Sequence, residues 1–344
     1  MVVLYPMKLT HMIIRRLVLQ VFVLFGLSVI TFVISHVLPT DPIRLMMGAK
    51  GGTYSPILYE TLRKKWGLDR PLYEQYVVYM TNLFHGDLGT SIHSKRPVMT
   101  DLMDYFPATF ELAIFAMIIS FSVAIVLGVI SARYKDKLPD NLVRLFSLFG
   151  ISMPVFWIGL LSLAVMYYRL GWVGPGRIGI YLEPPTRITN LFLLDSILTG
   201  NWTTFVDSLQ HIILPALVLG FESTAMITRI TRGSMLDVLS QDYIRTAHAK
   251  GLSERVVYYK HALKNALIPV STVVGLGFGW LLGGSVLVET IFNWPGLGRY
   301  VVHASLSSDF MPILGVTLFI ALIFTTVNLI VDLAYYVLDP RIRR

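Results

Sequence analysis

Few residue types able to do covalent or metal chemistry occur in this 344-residue chain, and none of them is grouped. There is no cysteine, so a disulfide framework, a thiolate metal site and a cysteine nucleophile are all excluded. The eight histidines are scattered, and the nearest outer pair, His85 and His93, lacks the carboxylate company of a metal site. No Gly-x-x-x-x-Gly-Lys-Ser/Thr loop is present, so the chain has no P-loop with which to hold a nucleotide. Gly275-Leu-Gly277-Phe-Gly279 and the pair Gly283-Gly284 lie inside an apolar run and do not form a dinucleotide fingerprint. There, small residues let helices or a substrate approach closely, so Gly275, Gly279 and Gly283 are expected either at helix contacts or along a translocation path. No catalytic residue and no metal site is assigned.

The polar stretch Asp242–Pro269 carries the most specific local chemistry. Ser240 is placed to cap a short helix, with Asp242 in its first turn favouring the positive end of the dipole. Lys250 falls in the last turn, and Gly251 sits where a left-handed residue ends a helix. Ser253 is placed to cap a second helix with Glu254 in its first turn. At helical spacing Val256, Tyr259, Leu263 and Leu267 share one face of it, away from Arg255 and Lys264. The expectation is a stiff, basic helix–glycine–helix hairpin that enters the bilayer near Pro269 and fits a groove on a soluble partner.

The elements that position this hairpin are membrane spans. Hydrophobic residues make up 54% of the chain and charged residues 15%, against about 25% charged in soluble proteins. Runs free of formal charge occur at Leu17–Val37, Leu112–Ala132, Leu145–Tyr168, Ala266–Val288 and Pro312–Val331. Each is close to the roughly 20 residues needed to cross the hydrocarbon core. A shorter run, Ile212–Thr228, contains only Glu222, so six spans are expected. The first run is longer than a signal-peptide core and ends in Ser-His-Val-Leu-Pro, so it reads as an uncleaved span. With the N-terminus inside, more than half of the 29 Lys and Arg residues fall on the cytoplasmic side, which places both termini there. The net charge of +8 is clustered beside spans, which argues against nucleic acid. The expected organisation is 1–37 (N-terminus and first span), 38–110 (outer segment), 111–338 (five-helix core) and 339–344 (basic tail). Pro56–Trp66 and Leu72–Phe84 are expected helices of the outer segment, and Gly86-Asp87-Leu88-Gly89-Thr90-Ser91 reads as a turn. Asp87, Leu88, Gly89, Thr90 and Ser91 are either surface loop or a docking point for a substrate-delivering partner. Arg169–Gln210, with Gly-Pro-Gly at 174–176, is expected to be irregular outer structure.

Glu222 and Asp332 are ionisable groups within spans and must face protein or water. Asp332 is expected to pair with Arg341 or Arg343. Glu222 is expected either to make a structural hydrogen bond or to contact a substrate. Pro154, Pro215 and Pro269 each remove a helical hydrogen bond and predict kinks.

Tyr243-Ile-Arg-Thr-Ala-His-Ala-Lys-Gly251-Leu-Ser, followed by His261-Ala-Leu-Lys-Asn-Ala-Leu-Ile-Pro269, resembles the cytoplasmic coupling loop of ABC importer permeases, in the dipeptide/oligopeptide/nickel subclass. The general family loop has Glu-Ala-Ala followed by a glycine four residues after the second Ala. Here Arg245-Thr246-Ala247 occupies the triplet with Gly251 in register, and the longer Gly-to-Pro interval also suits the peptide subclass. Further matches are Leu-Pro-Thr-Asp-Pro at 38–42, His85-Gly-Asp-Leu-Gly-Thr-Ser, Ser152-Met-Pro154, Thr231-Arg-Gly-Ser-Met235, Glu289-Thr-Ile-Phe-Asn-Trp-Pro-Gly-Leu-Gly298 and Asp339-Pro-Arg-Ile-Arg.

The resemblance implies an all-α polytopic protein of the ABC importer permease type, with a large extracytoplasmic loop after its first helix. It implies a prokaryotic inner membrane, a second similar permease subunit, two ATPase subunits that bind ATP and Mg, and an extracytoplasmic binding protein. Peptide is the implied substrate, with nickel and oligosaccharides as alternatives. The implied coupling segment is 232–265, with Tyr243, Arg245, Thr246, Ala247, Lys250, Gly251, Leu252 and Ser253 as ATPase-coupling residues. Two other classes remain. A secondary transporter would work without ATP and depend on Glu222, and a membrane scaffold would leave the kinked, glycine-rich spans unexplained.

Overall fold

The computed structural model describes residues 9–37, 56–65, 67, 69–172 and 174–338. The segment at 38–42, Trp66 and the basic tail at 339–344 lie outside the described residues. The described residues are helical, apart from turns and an isolated bridge between Thr90 and Pro97. Five helices are long and apolar enough to cross a membrane, and a bent pair makes a sixth candidate.

In chain order, α1 (Leu9–Val37) is the first span, and α2 (Pro56–Lys65) and α3 (Leu72–Phe84) belong to the outer segment. α3 is tied to α1 by the Tyr76 hydroxyl against Ser28 at 2.9 Å and by a cluster of Phe25, Phe32, Tyr76 and Tyr79 rings. α4 (Val98–Arg133) begins well before the charge-free run, so the end of the expected outer loop is the first part of a span. After α5 (Leu138–Ser152), α6 (Val155–Ser162) and a π-helical turn at Leu163–Arg169, the chain crosses an irregular outer stretch to α7 (Phe192–Leu198). α8 (Trp202–Leu239) is capped by Asn201, whose side chain accepts from the Thr204 N–H at 3.1 Å. Next come α9 (Asp242–Ala249), α10 (Glu254–Val256), a π-helical segment at Val257–Ala262 and α11 (Leu263–Ile291). α12 (Leu297–Leu306) and α13 (Phe310–Leu338) complete the chain.

One span expectation is corrected. Leu145–Tyr168 is not one kinked helix, because α5 and α6 meet at 103°. Pro154 disfavours helical backbone at the residue before it, and Met153 (ψ 130°) and Pro154 (ψ 130°) are both extended, so the helix breaks. By contrast, Pro215 and Pro269 sit inside the continuous helices α8 and α11.

α4, α8 and α11 form the centre of the bundle around Leu112, Ala116, Ile212, Leu219, Leu281 and Val288. The approach of α4 to α8 is close enough to demand glycine at 220. A Cβ there would lie 2.8 Å from the Ala116 carbonyl oxygen and would collide with the Ser120 hydroxyl, which donates to the Gly220 carbonyl at 2.8 Å. In a bilayer, where apolar surface alone does not favour association, such small-residue contacts hold helices together. α1 lies outside this core against α13, with Arg16 3.0 Å from Asp332. Asp332 therefore pairs across helices with the first span; its expected partners Arg341 and Arg343 lie outside the described residues.

Candidate functional site

The polar hairpin is built on the core. From α9, Ile244 and Ala247 bury themselves with Val129 and Ala132 of α4, Met235 of α8, and Val257, Ala262 and Ala266. Asn265 donates to the Tyr243 hydroxyl at 2.7 Å, and Arg133 pairs with Glu254 at 2.9 Å. These contacts join both arms of the hairpin to the ends of α4, α8 and α11.

Between the arms, Gly251 has φ of +72°, the left-handed conformation expected of it. Its N–H donates to the His248 carbonyl at 2.9 Å, and the Leu252 N–H donates to Ala247 at 3.3 Å, which closes the end of α9. Tyr243, Arg245, Thr246, Lys250, Gly251, Leu252 and Ser253 are exposed, while Ala247 is buried on the docked face. The protein thus offers an exposed, partly basic surface on a rigid mount.

Three details of the local reading differ. Ser240 ends α8, with its hydroxyl donating to the Asp237 carbonyl, and Gln241 occupies the N-cap position of α9. Ser253 does occupy the second N-cap position, but its side chain makes no capping hydrogen bond. The buried face of the second arm is Val257, Ala262, Ala266 and Val270, not Val256, Tyr259, Leu263 and Leu267. The π-helical segment at Val257–Ala262 accounts for Val257; beyond it the docked face follows Ala262, Ala266 and Val270 at regular spacing, one position from the expected Leu263 and Leu267. The wider π-helical turn inserts a five-residue step and rotates everything before it by one position relative to a regular helix.

The opposite end of the bundle is held by buried polar pairs. Arg177 of the irregular outer stretch reaches Glu111 of α4 at 2.5 Å, stacks 3.6 Å from the Phe192 ring centroid, and is as buried as its partner. Burial pushes the Arg177 guanidinium pKa down, and the Glu111 carboxylate opposes that shift. Nearby, Asp195 accepts from the Ile188, Thr189 and Asn190 N–H groups and the Thr189 hydroxyl. Burial alone would raise the Asp195 pKa, yet these hydrogen bonds hold it below the usual carboxylate range. Glu289, fully buried near the end of α11, accepts from the hydroxyls of Thr109 (2.7 Å) and Ser285 (2.8 Å) and from the Arg299 N–H (3.1 Å). It packs directly against Gly296 and Gly298, where a Cβ would strike its carboxyl group. The stretch from Glu289 to Gly298 is thereby a knot closed by its own first residue. The importance of Glu111 and Arg177 was not visible in sequence, where only their positions beside an apolar run and a Gly-Pro-Gly turn set them apart.

The turn at 86–91 is also built in. Asp87 accepts from the Gly89 N–H at 2.8 Å, and Leu88 is buried with Val98, Leu102, Leu297 and Tyr300. Ser91 is buried and donates to Asp309 at 2.7 Å, leaving Gly86, Asp87 and Thr90 as its exposed members. Among the expected path residues, Gly275 and Gly279 face α13, where a Cβ would collide with Val331 and Phe324, so the structure places them at a helix contact. Gly283, one turn beyond Gly279 on α11, and Glu222 on α8 lie on exposed faces.

Comparison with known proteins fits this architecture. Residues 124–344 match the binding-protein-dependent transport system inner membrane component family, and residues 9–113 match the N-terminal model of that kind of membrane component. The probable D,D-dipeptide transport system permease protein DdpB of Escherichia coli K12 is 46% identical over 325 residues, covering 94% of this chain and 95% of that one. The dipeptide transport system permease protein DppB of Alkalihalophilus pseudofirmus is 43% identical over 329 residues, covering 96% and 98%. The glutathione transport system permease protein GsiC of Escherichia coli O6:H1 is 40% identical over 331 residues, again covering 96% and 98%. With two matches spanning nearly its whole length and a bundle of membrane-spanning helices, this chain belongs to the binding-protein-dependent inner membrane components, the multi-pass permease subunits of ABC importers.

Proposed function

We propose that this subunit forms half of the pore of an ATP-driven importer of dipeptides and other short peptides, with the hairpin at Asp242–Pro269 as its coupling lever. The observation that carries the reading is the docked hairpin. Its exposed residues Tyr243, Arg245, Thr246 and Lys250 are mounted on Ile244 and Ala247, which are locked against α4, α8 and α11. Closure of an ATPase dimer against that surface would move the inner ends of three spans together, as alternating access requires. ATP and Mg belong to the ATPase subunits in this reading, and this subunit carries out no covalent step. A second similar permease completes the pore, and an extracytoplasmic binding protein delivers the solute. Both termini and the hairpin lie in the cytoplasm, supported by the basic residues gathered at that end. Peptide is favoured as cargo because the relatives compared above are named for dipeptides, D,D-dipeptides and glutathione.

The test is reconstitution of the full assembly in liposomes, with uptake of a labelled dipeptide library measured with and without ATP. Accumulation that needs both ATP and the binding protein supports the reading. Uptake without ATP that follows Glu222 protonation would replace it with a secondary transporter.

A further inference from the structure

Beside the hairpin, α5 and α8 enclose a groove of about 690 Å³. Arg144, Arg229 and Arg232 line it together with Leu145, Leu148 and Ile151. Arg232 is already committed, since it holds Asp140 through two contacts of 2.7 Å. Asp140 is in turn filled by the Ser131 hydroxyl and the Asp136 N–H. Arg144 and Arg229 are exposed and have no ion pair among the described residues, so the groove is left with two uncompensated cations. Thr228 also lines the groove and is 1% exposed, and its hydroxyl lies buried without a hydrogen-bond partner. One wall is apolar, with Leu145, Leu148 and Ile151 all exposed along the same helix.

This combination is amphipathic in a fixed direction. The Asp140–Arg232 pair lies at the start of α5, Arg144 lies one turn along it, and Leu148 and Ile151 lie further along toward the bent junction with α6. We propose that the groove binds one anionic phospholipid from the leaflet on the hairpin side. Its phosphate is held by Arg144 and Arg229, and an acyl chain lies on Leu145, Leu148 and Ile151. A protein helix resembling α1 is a poorer occupant, because α1 carries Arg15 and Arg16 at its own hairpin-side end and would add like charge. Basic pockets between spans that take anionic headgroups follow from the attraction of Lys and Arg to charged lipid, worth roughly a fivefold gain in affinity per residue.

The chain has no cysteine, so Leu148→Cys provides a unique labelling position on this subunit. The intact assembly, made with cysteine-free partner subunits and a fluorophore at this position, is placed in nanodiscs containing brominated phosphatidylglycerol or brominated phosphatidylcholine. Selective quenching by phosphatidylglycerol is expected, falling about fivefold in relative association for each of Arg144→Gln and Arg229→Gln. Millimolar inorganic phosphate should leave the quenching unchanged, because it cannot occupy the apolar wall. Equal quenching by both lipids overturns the proposal. So does displacement by phosphate, and so does a label shielded from both lipids, which would put a neighbouring subunit in the groove. The wild-type selectivity is itself decisive, so the proposal does not depend on the arginine variants assembling.

Discussion

Replacing Gly251 by proline and by alanine should separate backbone geometry from packing in the coupling hairpin. Nothing lies within 4 Å of a Cβ built at this position, so alanine adds no collision and costs only the left-handed conformation at φ +72°. That strain is about 1–2 kcal/mol. Against it stands burial of Ile244, a side chain whose removal from water is worth about 1.5–3 kcal/mol, together with Ala247. The docked arm thus outweighs the strain, and Gly251→Ala should keep the hairpin in place with uptake close to normal. Proline is different in kind. Its ring fixes φ near −65°, and it removes the N–H that donates to His248. No small adjustment reconciles that angle with +72°, so the chain must leave α9 in another direction and the second arm must lose register with the first. The assay is dipeptide uptake by the reconstituted assembly, with ATP hydrolysis measured in parallel and abundance checked. Gly251→Pro should abolish uptake and uncouple residual hydrolysis from transport. Wild-type uptake by Gly251→Pro at normal abundance would refute the lever argument. An alanine variant as inactive as proline would refute the magnitude assigned to the strain.

Arg177→Met should destabilise the assembly by about 3–5 kcal/mol, because it leaves the Glu111 charge buried and unpaired, and adding Glu111→Leu should recover much of the loss. Thermal unfolding in detergent of the two variants reads this directly, and no recovery in the double variant would contradict it. Gly220→Ala should cost about 1–3 kcal/mol by forcing α4 and α8 apart at Ala116 and Ser120, read as a lower unfolding temperature and reduced insertion-competent yield. Asp195 has a folded-state pKa below the ordinary value, so its contribution to stability is complete above about pH 4 and is lost as pH falls through the folded value. Hydrogen-exchange protection factors over residues 188–199, corrected for the intrinsic pH dependence of amide exchange, should therefore fall at acid pH in the wild type, while Asp195→Asn should be less protected at neutral pH and show a flatter protection profile.

Membrane class and most spans were legible in the sequence, because crossing hydrocarbon forces about 20 residues without charge whatever the fold. α1, α4, α8, α11 and α13 each contain one of the marked runs, although every one of them extends beyond it. The glycine at 251 was also legible, since a left-handed residue is a local requirement of the backbone. Tertiary structure decided the rest. Met153 and Pro154 could have made a kink or a break, and packing of α5 on α8 through Asp140 and Arg232 accompanies the 103° turn. The π-helical step at Val257–Ala262 brought Val257 into line with Ala262 and Ala266, a register that regular helical spacing cannot give. The partners of Asp332, Glu111 and Glu289 lie on other helices or distant turns, and charge alone names no partner when the separation is set by the folded bundle. Local backbone rules and the thickness of the bilayer act on neighbouring residues and can be read in order along the chain. Pairing of buried charges and the close approach of helices depend on atoms that only folding brings together.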